Sequence, residues 1–190
     1  VELDKKELIR QCAAEVIAKE GYYNTTVRMI AEKAGIAVGT IYIYFKTKEE
    51  ILDYIFLVEH NKRIKYLDEL QKNNKSITEV IQSFLDFHFS ELKENPSISK
   101  VLVQEGISPL MSNAEGIKKY WTKLPNILAE MLERAQQNGE IRSMDSIIVS
   151  RLVFYLIRGS VYIMQESDAA SWINKVKEQI VSLILDGIKK

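Results

Sequence analysis

The stretch TVRMIAEKAGIAVGTIYIYFKTKEE, from Thr26 to Glu50, constrains the fold more than any other part of the chain. It reads as two short helices joined by a Gly35-Ile36-Ala37 turn and followed by the capped start of a third. Ile41 and Phe45 lie four apart and share one helical face, which closes a small apolar core with Ile36 and with Ile30, Ala31 and Ala34 of the preceding helix. Thr40, Tyr42 and Tyr44 are left to solvent or to a partner. Gly39 inside so short a helix costs about 1 kcal/mol relative to alanine, which fits a place where backbone approaches a phosphate or a base edge. With Lys46 and Lys48 at its end, such a helix suits the DNA major groove.

The rest of the composition favours an all-α protein. Three prolines and eight glycines in 190 residues, against many Leu, Ile, Glu and Lys, argue against a sandwich or barrel. No apolar run reaches the roughly 18 residues of a transmembrane helix, and the first residues lack a signal-peptide layout, so the expected location is cytoplasmic and no membrane partner is expected. Cys12 is the single cysteine, which excludes an intrachain disulfide framework. Net charge is zero, but residues 1–48 carry eight Lys or Arg against six Asp or Glu, a mild basic excess where nucleic acid would bind.

Taken in order, Ile9, Cys12, Ala13, Val16 and Ile17 mark an amphipathic helix from about Asp4 to Glu20, ended by Gly21. Tyr22-Tyr23-Asn24 is a connector, and Thr25 or Thr26 caps the second helix. Thr47-Lys48-Glu49-Glu50 is a capping box that opens a fourth helix to about Lys72, roughly 35 Å long. Ser76-Ile77-Thr78-Glu79 is a second box, and Asn95-Pro96 ends the helix it opens. A short helix follows over Ser97–Glu105, then a loop over Gly106–Asn113 containing Pro109. Pro125 should kink or split a helix spanning about Ala114–Asn138. From Asp145 to Gln165 almost every face is apolar, so that helix must be covered all round, most simply by a second subunit. Trp172, Ile173, Val176, Ile180, Leu183, Ile184 and Ile188 mark a last amphipathic helix. The expected architecture is a three-helix helix-turn-helix domain at 1–47 and a larger helical ligand-binding and dimerisation domain at 48–190, about nine helices in all.

Glu20-Gly21-Tyr22, Thr26–Ala31, Ala34-Gly35-Ile36, Gly39–Phe45 and Lys46–Glu50 together resemble the amino-terminal domain of the tetracycline repressor (TetR) family of bacterial regulators. The resemblance covers about a quarter of the chain. It implies that Val38, Gly39 and Thr40 face base edges, that Tyr42 and Tyr44 contact backbone or a thymine methyl, and that Thr26, Arg28, Lys46 and Lys48 meet phosphates. The chain departs from the family at two places. Ala37 stands where many members have Ser or Thr, so a hydroxyl cap worth about 1 kcal/mol is missing. Val38 stands where a polar residue is common and offers apolar contact, for which a thymine methyl is the natural partner.

The aromatic and polar set Phe84, Phe87, His88, Trp121, Tyr155, Arg158 and Tyr162 can line an apolar pocket with a few polar groups, although most such residues equally suit ordinary core. Arg158 can pair with a ligand carboxylate or phosphate, or with Asp86 or Glu166. Neither His60 nor His88 has a second His or a Cys at helical spacing, and no phosphate loop, nucleophile elbow or Cys–His pair is present, so neither a metal, a cofactor nor an enzyme is expected.

The resulting expectation is a ligand-responsive transcriptional regulator, most simply a repressor. It would bind a palindromic double-stranded DNA operator as a homodimer and be released by a hydrophobic small-molecule effector. The stretch Tyr120–Ile141 is similar to fatty-acid-metabolism regulators of the family, which implies a fatty acid or acyl-CoA. The alternative is a helical lipid-binding protein or enzyme in which residues 1–47 are structural.

Overall fold

The structure, a computed structural model, describes residues 4–72, 75–104, 114–165 and 169–189, with backbone alone for 161–165 and 169–173. Among them are nine helices and no strand: α1 Lys5–Glu20, α2 Val27–Ala34, α3 Val38–Tyr44, α4 Lys48–Gln71, α5 Ile77–Glu94, α6 Pro96–Gln104, α7 Glu115–Gln137, α8 Ser146–Gln165 and α9 Ala169–Ile188. The loop expected at Gly106–Asn113, the side chains of Tyr162, Trp172 and Ile173, and Glu166 lie outside the described residues.

Local chemistry sets most of these boundaries. Asp4 accepts the Lys6 N–H (3.1 Å) at the start of α1, and Gly21, at φ 79°, ends it. Thr47 Oγ1 accepts the Glu50 N–H (3.2 Å) while the Glu50 carboxylate accepts the Lys46 N–H (2.7 Å), so α4 starts abruptly after α3. At α5 the box is reciprocal, with Ser76 Oγ accepting the Glu79 N–H (3.4 Å) and the Glu79 carboxylate accepting the Ser76 N–H (2.9 Å). α6 starts at Pro96, one residue earlier than the Ser97 expected, because proline lacks an N–H that the first helical position would leave unpaired. α7 is one continuous helix rather than two: Pro125 removes one rung, and the buried Leu124, Ala129, Met131 and Leu132 hold the turns on either side of it.

The helices group into two compact bodies, Val1–His60 with Asn95–Tyr120 and Asn61–Glu94 with Trp121–Lys190, and the divisions fall within α4, between α5 and α6, and within α7. In the first, α1 packs on α2 and α6, and Ile9, Ala13, Ile17, Ile30, Ile41, Ile51 and Ile55 are fully buried. Ala34 and Ile36, expected in this core, are half-buried, because they sit at the end of α2 and in the turn, at the core's rim. Tyr22, expected in a connector, is buried along with Phe45. In the second body α9 packs on α5 and α8, around Leu85, Phe89, Leu132, Ile180 and Ile184.

The outward face of α8 is inverted relative to an ordinary surface helix. Ser150, Ile157 and Ser160 are buried, with the serines bonded back to the carbonyls of Ile147 and Ile157. Ile147, Ile148, Leu152, Tyr155 and Leu156 are exposed, as is Leu183 of α9. Contiguous exposed apolar surface of this kind marks an interaction site.

Candidate nucleic-acid interface

Thr26 caps α2, its Oγ1 accepting the Met29 N–H at 3.2 Å. α2 ends at Gly35, which is left-handed (φ 64°, ψ 31°) and donates its N–H to the Ala31 and Glu32 carbonyls. Ile36 and Ala37 then swing the chain into α3, whose first residue has no side-chain cap. Ile41 and Phe45 anchor α3 to the core. Of the other residues of α3, Ile43, opposite Ile41, is 73% exposed, Tyr42 45%, and Val38 and Tyr44 37% each. Gly39 is exposed, and a methyl group added there would meet no other atom of the chain within 4 Å. Packing within the chain therefore does not account for a glycine at this position.

Ile43 was not legible as a surface residue from composition, since isoleucine is a core residue type. Helix spacing carries the signal: it lies four residues after Gly39 and three after Thr40, opposite Ile41.

The cations around α3 differ in what they can reach. Arg28 is exposed and pairs with Glu32 one turn on (3.0 Å), a solvent-screened contact that a phosphate can displace. Lys46 is exposed, its ammonium leaning back on the Tyr42 carbonyl at 3.3 Å. Lys48, expected at a phosphate, is engaged within the chain. Its ammonium donates to the carbonyls of Tyr22 and Thr25, both at 2.7 Å, and sits 4.3 Å from the Tyr22 ring centre. Those carbonyls belong to the turn between α1 and α2, so Lys48 is a clasp between that turn and α4. Beside it the Tyr22 hydroxyl donates to Glu49 Oε1 (2.8 Å). Backbone N–H donation, then this hydroxyl, lowers the Glu49 carboxyl below its ordinary value.

A buried ionic contact fixes α1 to α4 in the same body. Arg10 donates to both carboxylate oxygens of Glu7 at 2.7 Å and to Glu59 Oε1 at 3.2 Å, with Arg10 and Glu59 both buried. Such a pair holds register more than it adds stability.

Comparison with known proteins bears on the same residues. The family model described as bacterial regulatory proteins, tetR family, matches residues 9–55, from the middle of α1 into α4. A fatty acid metabolism regulator protein of Bacillus subtilis is 32% identical over 179 residues, 92% of each chain. The chain belongs to the TetR family of bacterial regulatory proteins. The crystal structure of the transcriptional regulator FadR from Bacillus subtilis in complex with stearoyl-CoA superposes with a TM-score of 0.79 and 31% identity, over 93% of this chain and 97% of that one. The fatty acid degradation regulator FadR of Bacillus halodurans has the same fold, with a TM-score of 0.79 at 23% identity over 92% of this chain and 97% of that one.

The effector residues expected in this TetR-family chain make the following contacts among the described residues. His88 is buried and accepts from Arg63 Nε at its Nδ1 (3.2 Å), with Phe84 stacked 6.3 Å away. Burial, then the charge of Arg63, holds its pKa well below the ordinary 6.5. Phe87 stacks on Tyr66 at 4.3 Å. Trp121 meets Phe154 edge-on at 5.2 Å and carries the Arg158 guanidinium 4.4 Å from its ring centre. Asp86, one of the partners considered for Arg158, accepts instead from Lys177 (2.8 Å) and Gln82 (3.2 Å). Tyr155 is the clear correction: it is exposed on the outer face of α8, because the 3.6-residue period turns it away from the buried Ile157 and Ser160. Two surface clefts of about 380 and 430 Å³, one beside Gln71, Met131 and Arg134 and one beside Lys177, Ser182 and Lys189, involve none of the expected residues.

Arg63 was missed. It is among the largest fully buried side chains, and with Glu59 it interrupts an otherwise apolar stripe of α4: Leu52, Phe56, Glu59, Arg63, Leu67, Leu70. Two charges at core positions of a helix were the available signal. Among the described residues no cluster of His, Cys, Asp and Glu is placed to hold a metal, and no helix is long and apolar enough to cross a membrane.

Proposed function

We propose that the chain is a ligand-responsive transcriptional repressor that binds a palindromic operator as a homodimer and is released by a long-chain acyl-CoA or fatty acid. The observation that carries this reading is the 32% identity, over 92% of both chains, to a fatty acid metabolism regulator. The relative crystallised with stearoyl-CoA supports the effector class. Residues 1–47 act as the DNA-binding domain and 48–190 as the effector-binding and dimerisation domain. Val38, Gly39, Thr40, Tyr42 and Tyr44 face the major groove, and Thr26, Arg28 and Lys46 the phosphates. Lys48 supports them from behind. The exposed apolar face of α8 and α9 supports an isologous dimer, which sets two recognition helices about 34 Å apart in successive grooves.

Release requires that the acyl ligand bind better to the form whose α3 helices are mis-spaced for the operator. The buried Arg63–His88 pair, with aromatic rings around it, suits the polar part of such a ligand, and Trp121, Phe154 and Arg158 form a second cluster of that character. α4 runs unbroken from Lys48 past Arg63 to Gln71, and we take it as the element whose position both ligands bias. The test is to select duplexes from random DNA and titrate stearoyl-CoA into the complex. Operator affinity should fall about 5- to 150-fold, and operator DNA should weaken stearoyl-CoA binding by the same factor. No loss with any acyl-CoA would refute the effector while leaving DNA binding intact.

A further inference from the structure

The side chains on the exposed side of α3 restrict which bases it can read. The helix Val38-Gly39-Thr40-Ile41-Tyr42-Ile43-Tyr44 has no arginine, lysine, asparagine, glutamine, aspartate or glutamate. The strong base readers are therefore missing: no guanidinium or ammonium spans the O6 and N7 of guanine, no carboxamide spans the N6 and N7 of adenine, and no carboxylate takes the N4 of cytosine. The hydroxyls of Thr40, Tyr42 and Tyr44 each donate and accept singly, and so accept more than one base.

What projects furthest is apolar. Ile43 and Gly39 stand one turn apart, directly away from the buried Ile41, and Val38, the first residue of α3, is exposed beside Tyr42 one turn on. Since a Cβ at Gly39 would meet nothing, the missing side chain is not demanded by packing within the chain. It lowers the surface beside Ile43 and brings the helix axis closer to whatever faces it. Lys46 leans on the carbonyl of Tyr42 at the far end of α3. The one major-groove feature that an aliphatic branch recognises is the C5-methyl of thymine.

We infer that base recognition by α3 is carried by thymine methyls, with Ile43 and Val38 as the specificity-determining residues, so that each operator half-site has thymines at the positions facing them. The inference rests on α3 being the DNA-facing helix. A methyl packed on Ile43 contributes about as much as one buried methylene, roughly four-fold in affinity per contact.

The experiment uses the full chain and the duplex enriched from a random library. Each thymine is replaced in turn by deoxyuridine, which keeps base pairing and every hydrogen-bonding edge and removes the methyl alone. Dissociation constants are measured by fluorescence anisotropy for the unaltered chain, Ile43→Ala and Val38→Ala. At one or two thymines per half-site the unaltered chain should bind about four-fold more weakly to the deoxyuridine duplex. At the thymine facing Ile43, Ile43→Ala should bind both duplexes equally, and at the one facing Val38, Val38→Ala should do so. Both side chains are exposed, and an unchanged thermal melt for each variant confirms its fold. Specific binding indifferent to every deoxyuridine overturns methyl readout and leaves the DNA-binding function standing. A library that enriches no sequence overturns that function, and this inference with it.

Discussion

Asp53 of α4 caps α7 from 63 residues away: its Oδ1 accepts the N–H of Gly116 at 2.6 Å and of Ile117 at 3.1 Å. The carboxylate thus satisfies two of the free N–H groups in the first turn of α7 and places negative charge at the helix's positive end. The two backbones approach so closely that a Cβ on Gly116 would overlap the Asp53 carbonyl and lie 2.9 Å from Leu57 Cβ. Gly116→Ala should therefore destabilise the chain by about 2 kcal/mol, because backbone rather than a flexible side chain must move. Asp53→Ala should cost about 1–2 kcal/mol, and Asp53→Asn, which keeps an acceptor, distinctly less. Urea midpoints with an unchanged slope would check both. If Gly116→Ala were neutral, the close approach of α4 and α7 would not be a feature of the folded chain.

Cations that meet phosphates and cations that hold the fold can be separated by salt. Arg28→Ala and Lys46→Ala should weaken all duplexes alike and lower the slope of log affinity against log salt by about one per lost contact, so by about two per dimer. Glu32→Gln should strengthen binding, since it frees Arg28 from its 3.0 Å partner and removes a charge that repels phosphate. Lys48→Met should leave the salt slope unchanged and lower stability, because two carbonyls at 2.7 Å lose their donor. A drop in slope for Lys48→Met would return it to the phosphate set.

The large apolar side chains on the outer face of α8 and α9 predict what a charge placed there does. Leu152→Glu combined with Leu183→Glu should give a folded monomer by analytical ultracentrifugation, since both side chains are already exposed in the single chain. Because two half-sites would no longer be bound together, operator affinity should fall on the order of a hundred-fold or more. A persistent dimer would move the interface elsewhere.

These cases also show what a sequence can and cannot disclose. The Thr47–Glu50 and Ser76–Glu79 capping boxes, the Gly35 turn and the inward faces of α1 and α3 are set by residues within about one helical turn of each other, and their pattern is visible in the linear chain. The Lys48 clasp, the Asp53 cap and the Arg63–His88 pair join residues 23 to 64 positions apart, and no local period encodes them. Lys48 is instructive because a lysine beside a recognition helix looks the same in sequence whether it faces phosphate or its own backbone. Tyr155 was misplaced for a related reason: in a helix apolar on every side, hydrophobicity alone does not say which side is inside. Arg63 was the opposite case, a local signal passed over because arginine is a surface residue by default.

The buried histidine makes stability depend on pH with a definite sign. Burial and the neighbouring Arg63 charge keep His88 neutral in the folded chain well below 6.5, whereas in the unfolded chain it takes up a proton near that value. Between the two values the unfolded state binds more protons, so stability rises with pH there. This contribution is fully present above the unfolded value and is lost as pH falls below it, at up to about 1.4 kcal/mol per pH unit until the folded value is reached. His88→Asn keeps an acceptor for Arg63 Nε, now bonded at 3.2 Å, and removes the titrating group. The difference in unfolding free energy between the two proteins should therefore be constant above about pH 7 and shift in favour of the asparagine variant as pH is lowered through 6 and 5. A difference independent of pH over that range would mean that His88 is protonated in the folded chain much as in the unfolded one, and that the Arg63 contact is not to a neutral ring.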